Sequence, residues 1–142
     1  MIVVDTSALM AILLDEPEAT ACMDALSTAD TLSISAGTVA EALIVADRRG
    51  CGQEMRRLID GLGFDVSPVT PAAARAVADA YARWGKGINP AGLNFGDCFA
   101  YALANETASP LLYVGSDFSR RTCTLQRSHQ DDRKTDNTSL AT

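Results

Sequence analysis

Four carboxylates of this chain stand alone in long uncharged stretches of sequence. They are Asp5 within residues 1–14, Glu41 within 31–46, Asp97 within 87–105 and Asp117 within 107–119. An ionised carboxylate is seldom buried without a partner, and no Lys or Arg lies nearby in sequence. Oxygen ligands that converge without cysteine or histidine suit Mg²⁺ or Mn²⁺, and these metals activate water and stabilise charge at phosphorus. The four acids together therefore indicate a metal-dependent site for chemistry on phosphate esters.

Each of the four acids, taken singly, also fits an ordinary structural role. Asp5 fits a helix N-cap as well as it fits a ligand, and Glu41 fits a tolerated surface glutamate. Asp97 could favour a helix dipole, and Asp117 could shape a turn. Two further isolated acids precede predicted strands and fit turns, namely Asp30 and Asp65. It is the set of four that favours a common site.

The predicted secondary structure explains how the four acids could meet. Hydrophobic patterns and turn signals predict strands over 2–4, 31–35, 64–69 and 111–114, and helices over 8–14, 18–26, 36–49, 53–62, 71–84 and 94–106. This alternation predicts an α/β fold with a parallel sheet, in which ligands collect beyond the carboxyl ends of the strands. Asp5 and Asp117 fall at such ends, and Glu41 and Asp97 fall early in helices.

Composition and charge limit the classes of protein to which the chain can belong. Its 142 residues are 47% hydrophobic, which is typical of a single globular domain. The net charge is −6, and the imbalance lies in residues 1–118, with 15 acids and 7 bases, whereas residues 119–142 hold 3 acids and 5 bases. This balance argues against a protein that coats nucleic acid with a basic surface. Contact with nucleic acid would need bound cations or local basic groups.

Cysteine spacing and the N-terminus indicate a cytoplasmic protein. The four cysteines are widely spaced without a C-x-x-C pair, so neither a zinc site nor a disulfide framework is indicated. A reducing compartment is therefore the simplest location for the protein. The apolar start is interrupted by Asp5, and the first basic residue is Arg48, so a signal peptide is not expected. No apolar run approaches the roughly 20 residues that span a bilayer.

Other common catalytic arrangements are missing from the sequence. The single histidine, His129, lies in a polar tail, which leaves nucleophilic Ser-His or Cys-His catalysis without a base. An aspartyl-phosphate enzyme would have a second acid two residues after Asp5, where the chain has Ser7. No phosphate-binding glycine motif occurs. Three aromatic residues are predicted to lie in the core rather than to stack on bases, because no basic residues interleave with them: Phe95, Phe99 and Tyr101.

Four short segments carry a family resemblance. They are Val3-Val4-Asp5-Thr6-Ser7-Ala8, Ala40-Glu41-Ala42, Leu93-Asn94-Phe95-Gly96-Asp97-Cys98-Phe99-Ala100-Tyr101-Ala102 and Gly115-Ser116-Asp117-Phe118. In order, spacing and context they resemble the PIN-domain ribonucleases of the VapC toxin type. The resemblance implies a three-layer α/β/α fold with a central, mainly parallel sheet. It also implies a magnesium- or manganese-dependent endoribonuclease, the toxin of a type II toxin–antitoxin pair, in which a metal-activated water attacks the phosphodiester.

The same resemblance implies roles for individual residues and partners. Asp5 and Asp97 would be the principal metal ligands, and Glu41 and Asp117 would complete the catalytic acids. Around them would lie side chains that orient carboxylates or water, namely Thr6, Ser7, Asn94 and Ser116. The expected partners are an RNA substrate, a second copy in a homodimer, and a VapB-type antitoxin whose basic side chain enters the acidic pocket.

The C-terminal part of the chain departs from the family pattern. The nuclease domain is expected to cover 1–118, or to reach about 126 if a last edge strand forms near 122–125, and 127–142 is predicted to be a disordered polar tail. The segment after the last acid only loosely imitates the family's edge strand. A non-catalytic PIN-like module that binds RNA or a protein partner therefore remains the alternative, and a small-molecule phosphohydrolase is a third interpretation.

Overall fold

The chain is organised around a five-stranded sheet. A computed structural model describes residues 1–85, 87, 92–117 and 120–126. In chain order the elements are β1 (Ile2–Val4), α1 (Thr6–Leu13), α2 (Ala19–Ser27), β2 (Leu32–Ser35), α3 (Ala36–Arg48), α4 (Gly52–Leu62), β3 (Asp65–Ser67), α5 (Pro71–Trp84), α6 (Phe95–Glu106), β4 (Leu111–Asp117) and β5 (Arg120–Gln126). The predicted disordered tail over 127–142 lies outside the described residues.

The order of the strands defines the edge at which a site can form. The sheet runs β3-β2-β1-β4-β5, with β1 to β4 parallel and β5 antiparallel to β4. The chain moves from β1 to β2 and β3 on one side, and later returns to β4 on the other side of β1. The carboxyl ends of β1 and β4 therefore flank the topological switch point, where open α/β sheets bind ligands.

The two faces of the sheet are covered by different helices. Side chains alternate along β1, so Ile2 and Val4 join the main core cluster formed with α1 to α4, whereas Val3 packs with Leu103 on the opposite face. On that face α6 contacts the sheet, and α5 packs against α6. These three layers confirm the predicted α/β/α architecture.

Local capping explains where the helices begin and end. Ser35 accepts a hydrogen bond from Gly37 N at 3.1 Å and starts α3, and Thr70 accepts one from Ala73 N at 3.1 Å and starts α5. Gly63, with φ of 67°, ends α4 in the left-handed conformation. None of the described helices is long and apolar enough to cross a bilayer.

The C-terminal strands are longer than the local sequence suggests. The pattern predicts a strand only over 111–114, because Gly115 and Ser116 favour a turn. In the structure β4 continues to Asp117, because its last residues pair with β5, where Asp117 lies opposite Arg120. The edge strand expected near 122–125 is thus present as β5.

Candidate active site

Asp5 is held at the junction of β1 and α1. It caps α1, and its Oδ2 accepts hydrogen bonds from Ser7 N at 3.1 Å and from Ser7 Oγ at 2.6 Å. Ser7 Oγ also accepts a bond from Val114 N at 2.9 Å, which ties the carboxylate to β4. Asp5 is only 5% exposed, and its Oδ1 is buried without a hydrogen-bond partner among the described residues. A buried carboxylate oxygen without a hydrogen-bond partner destabilises the folded state, so a ligand that binds this atom would stabilise it.

Asp97 is fixed by the first turn of α6. Asn94 and Asp97 form a capping box, in which Asn94 Oδ1 accepts from Asp97 N at 2.9 Å and Asp97 Oδ2 accepts from Asn94 N at 3.0 Å. The box uses one of the two oxygens of the Asp97 carboxylate. It holds a half-buried acid in one orientation at the start of a helix, where the helix dipole favours negative charge.

Glu41 reaches the same region from α3. Its carboxylate lies against the backbone of Gly96, so close that a Cβ atom on Gly96 would overlap it. Gly96 directly precedes Asp97, and α3 packs against α6. The glycine is therefore what allows a carboxylate from one helix to approach the acid of the other.

The electrostatics of the site confirm that these three acids are neighbours. The pKa of Asp5 is raised from 3.8 to about 6, first by burial and then by the negative charges of Asp97 and Glu41, although the bonds from Ser7 lower it. Burial also raises the pKa of Asp97, against the hydrogen bond from Asn94 N. Among the described residues, the charges that act on Asp5 are thus negative, and a cation would stabilise the group.

A cavity of about 390 Å³ opens beside two of the three acids. Its lining includes Asp5, Ser7, Asp97, Tyr101, Tyr113 and Gln126. It extends along β4 from Leu111 to Gly115 and reaches Asp5 at the carboxyl end of β1, beside the switch point. Glu41 does not line it and lies against Gly96. In the part of the chain that the structure describes, no three metal-ligating side chains form a ready cluster.

The structure places the remaining predicted site residues with unequal detail. Thr6 Oγ1 donates to Thr38 O at 3.4 Å and so links the start of α1 to α3, whereas Ser7 and Asn94 bond directly to the acids. The backbones of Ser116 and Asp117 lie at the end of β4. The side chains of those two residues fall outside what the structure describes. The sequence-based roles of these residues stay predictions.

Some residues at the site have no signal in the sequence. Gln126 lines the cavity from β5, because the antiparallel register places this residue opposite Leu111.

Phe95 was expected in the core, and that expectation is wrong: it is 67% exposed, with its ring edge-on to Phe99 at 5.1 Å between centroids. It is the first residue of α6, and it is not part of the core cluster that α5 and α6 form. The other two aromatics, Phe99 and Tyr101, are partly buried beside the core cluster of α5 and α6.

Comparison with known proteins identifies the family. The PIN-domain model matches residues 2–122. VapC ribonuclease Mb0625 of Mycobacterium bovis is 47% identical over 120 residues, covering 82% of this chain and 90% of the relative. Ribonuclease VapC36 of Mycobacterium tuberculosis is 46% identical over 121 residues, covering 82% and 86%. The chain therefore belongs to the PIN-domain family and, within it, groups with the VapC proteins, which confirms the resemblance drawn from the sequence.

Solved structures show the same fold at low sequence identity. The crystal structure of VapC20 from Mycobacterium tuberculosis, a toxin that cleaves the sarcin–ricin loop, superposes with a TM-score of 0.67 at 15% identity, covering 83% of this chain and 92% of that chain. A toxin–antitoxin complex from Klebsiella pneumoniae gives a TM-score of 0.60 at 18% identity, covering 78% and 83%. These likenesses confirm the architecture of the sheet and its helix layers.

Proposed function

We propose that this protein is a metal-dependent endoribonuclease that acts as the toxin of a toxin–antitoxin pair. The observation that carries the proposal is the unpartnered, buried Oδ1 of Asp5 beside a cavity that Asp97 also lines. The relatives described above, which are named ribonucleases, support RNA as the substrate class. The acidic surface needs a cation to bring a phosphate close, which supports the metal.

The donor set fits a hard divalent cation. Asp5 and Asp97 would hold Mg²⁺ or Mn²⁺, and Glu41 and Asp117 would complete the acidic set. Magnesium is usually bound by one or two carboxylates together with waters and substrate phosphates, so a preformed cage of three protein ligands is not required. When bound, such a metal supplies an activated water and neutralises charge at the attacked phosphate.

The chain's own residues supply the positioning. Ser7 orients Asp5, and Asn94 orients Asp97, so the two carboxylates are fixed before substrate arrives. The cavity that both acids line, of about 390 Å³, would take up the sugar-phosphate backbone of the substrate. The exposed ring of Phe95, two residues before Asp97, offers a face on which an unpaired base can stack, which favours single-stranded RNA.

Cleavage of total cellular RNA tests this proposal. The wild-type protein should cut RNA in millimolar Mg²⁺ and stop when a chelator is added. Asp97→Asn should abolish cutting, because Asn keeps the acceptor for Asn94 N and removes the charge that holds the metal. Asp60→Asn, at an exposed carboxylate on α4, is the matched control and should cut normally. Full cleavage by Asp97→Asn would overturn the proposal.

A second candidate function follows from one observation about the acids. Because no three-ligand cluster is preformed among the described side chains, the domain could instead be a non-catalytic PIN-like module that binds RNA or a protein partner. The same experiment separates the two functions. A wild-type protein that binds RNA with no metal-dependent cleavage would favour the module, and activity only on a small phosphomonoester would favour the phosphohydrolase.

The partner proposed for the site is a VapB-type antitoxin. Residues 1–118 carry a net charge of −8 and contain the acidic cavity, so a basic segment should be attracted to it. Arg can bridge two carboxylates through its planar guanidinium group, whereas Lys offers a point charge. We therefore expect the antitoxin to place an Arg in the cavity. Replacing this Arg by Ala should restore RNA cleavage in the complex. An antitoxin variant that still inhibits fully would show that the cavity is not the inhibited site.

A second copy of the chain is the other proposed partner. VapC-type proteins are expected to form homodimers, and light scattering of the free chain would measure this directly. A molecular mass of twice 15.0 kDa is the expected result, and a monomer at micromolar concentration would contradict it.

A further inference from the structure

Two cysteines far apart in sequence meet at the back of the site. Cys22 on α2 and Cys123 on β5 are 101 residues apart, and their Sγ atoms lie 2.7 Å from each other. Cys22 is fully buried, and Cys123 is partly exposed. Both are free thiols, and α2 packs against β5 at this point. The pair could not be predicted from the sequence, because the spacing of the two residues matches no cysteine motif.

The pair is connected to the catalytic side of the sheet. Cys123 lies opposite Val114 in the β4–β5 register, and Val114 N donates to Ser7 Oγ, which in turn holds Asp5. The same strand ends at Gln126 on the wall of the cavity. A covalent bond at Cys123 would therefore fix the strand that closes one side of the site.

We propose that Cys22 and Cys123 form a redox pair that closes into an intramolecular disulfide and anchors β5 to α2. Their sulfur atoms already face each other across the α2–β5 contact, so closure needs only a small adjustment of the two side chains. A disulfide restricts the unfolded chain most when the loop that it closes is long, and this loop is the longest that the four cysteines of the chain can close.

The oxidant is a small-molecule disulfide such as oxidised glutathione. The Cys123 thiolate attacks it, forming a mixed disulfide and releasing one glutathione. The Cys22 sulfur then attacks the Cys123 sulfur, forming the protein disulfide and releasing the second glutathione, which takes up the Cys22 proton. Two protein thiols are oxidised, and one glutathione disulfide is reduced to two thiols.

The environment of the two sulfurs determines which one reacts first. Burial, and then the contact with Cys123, raises the pKa of Cys22 to about 12, so Cys22 stays protonated and shielded. Cys123 is the accessible partner. Cys22 therefore acts as the resolving thiol, whose attack is driven by its proximity rather than by its acidity.

Equilibration of the folded protein in glutathione redox buffer, followed by denaturing alkylation and mass spectrometry, tests the pair. The wild type should lose two hydrogen atoms in mass, keep two alkylatable thiols of four, and yield a peptide that joins Cys22 to Cys123. Cys51→Ser, at the other half-buried cysteine, should form the same bond. Cys22→Ala and Cys123→Ser should not form it.

Thermal unfolding supplies a second readout, in which the Tm of each protein is compared before and after oxidation. Differences in stability between the reduced variants do not affect this comparison. Oxidation should raise the Tm of the wild type and of Cys51→Ser by about 10 °C, and leave Cys123→Ser unchanged. Four alkylatable thiols after equilibration with excess oxidised glutathione would overturn the proposal. A stable mixed disulfide at Cys123, or a bond between other cysteines, would also overturn it.

Discussion

At the scale of single residues, Asp5 is an acid whose chemistry the fold alters strongly. It is buried, accepts two bonds from Ser7 on one oxygen, and has no partner on the other. The capping role and the ligand role that the sequence left open are therefore compatible. One oxygen caps α1, and the second oxygen remains for a ligand.

The raised pKa of Asp5 predicts a pH-dependent cost to stability. A folded-state pKa of about 6 against an ordinary value of 3.8 means that the folded protein binds the proton more tightly than the unfolded chain. Protonated Asp5 thus stabilises the fold below about pH 4, and this contribution is lost as pH rises through 6. In metal-free buffer, Asp5→Asn should be more stable than wild type by about 3 kcal/mol at pH 7.5, and the difference should shrink towards pH 4.

Urea unfolding of both proteins between pH 4 and 8 measures this difference. Asp60→Asn, at the exposed carboxylate on α4, is again the control. If the difference in unfolding free energy between Asp5→Asn and wild type were equal at pH 4 and pH 7.5, the charge of Asp5 would not destabilise the fold.

Phe95 is a second residue whose position suggests a function. Its ring is 67% exposed and touches Phe99 edge-on, so its removal should leave the core intact. Phe95→Ala should raise KM for a single-stranded RNA by about tenfold with little change in kcat, because one stacked base contributes about 1–3 kcal/mol. Phe95→Trp should retain the wild-type KM. An unchanged KM in Phe95→Ala would exclude stacking.

At the scale of elements, the contact between α3 and α6 sets the position of two acids. Gly96→Ala should reduce cleavage while changing stability by less than about 1 kcal/mol, because the added Cβ would displace the Glu41 carboxylate, which is the free end of a flexible side chain. Gly61→Ala is the matched control: Gly61 is also helical, has open space around it, and should become up to about 1 kcal/mol more stable. Gly96→Ala combined with Glu41→Ala should cleave no more slowly than Glu41→Ala alone, because the added Cβ contacts only the Glu41 carboxylate. A fully active Gly96→Ala would contradict the observed packing.

Much of this element order could be predicted from sequence, because local signals specify it. Thr70 with Pro71 marks the start of α5, and a β-branched run marks β1. The helix predictions agree with the structure to within about two residues at most ends. The caps that begin α1, α3 and α6 are themselves sequence-local, which is why these boundaries are predictable.

The parts that sequence could not supply depend on contacts between distant segments. The extension of β4 depends on pairing with β5, and the meeting of Cys22 with Cys123 depends on how α2 crosses that strand. The position of Glu41 depends on Gly96 of another helix. Phe95 was misassigned because an apolar residue at the first turn carries no local sign of whether a neighbour covers it.

At the scale of the whole molecule, the proposed metal site would couple folding to metal binding. Three neighbouring carboxylates disfavour the metal-free fold, and the unfolded chain does not hold them together. Mn²⁺ at about 100 times its Kd should therefore raise the Tm of wild type by roughly 5 °C or more, reversibly with a chelator. Asp97→Asn should lose most of this shift, and Asp60→Asn should keep it. An equal shift in all three proteins would indicate adventitious surface binding.

The oxygen chemistry of the RNA product tests the central claim, that the acids prepare a water molecule to attack the phosphodiester. Cleavage in ¹⁸O-labelled water with Mg²⁺ should give a terminal monophosphate that carries one labelled oxygen, with no 2′,3′-cyclic phosphate at any time, because the 2′-hydroxyl takes no part. Asp5→Asn and Asp97→Asn should give no product. A cyclic phosphate, or product formation by Asp97→Asn in the presence of a chelator, would contradict the account.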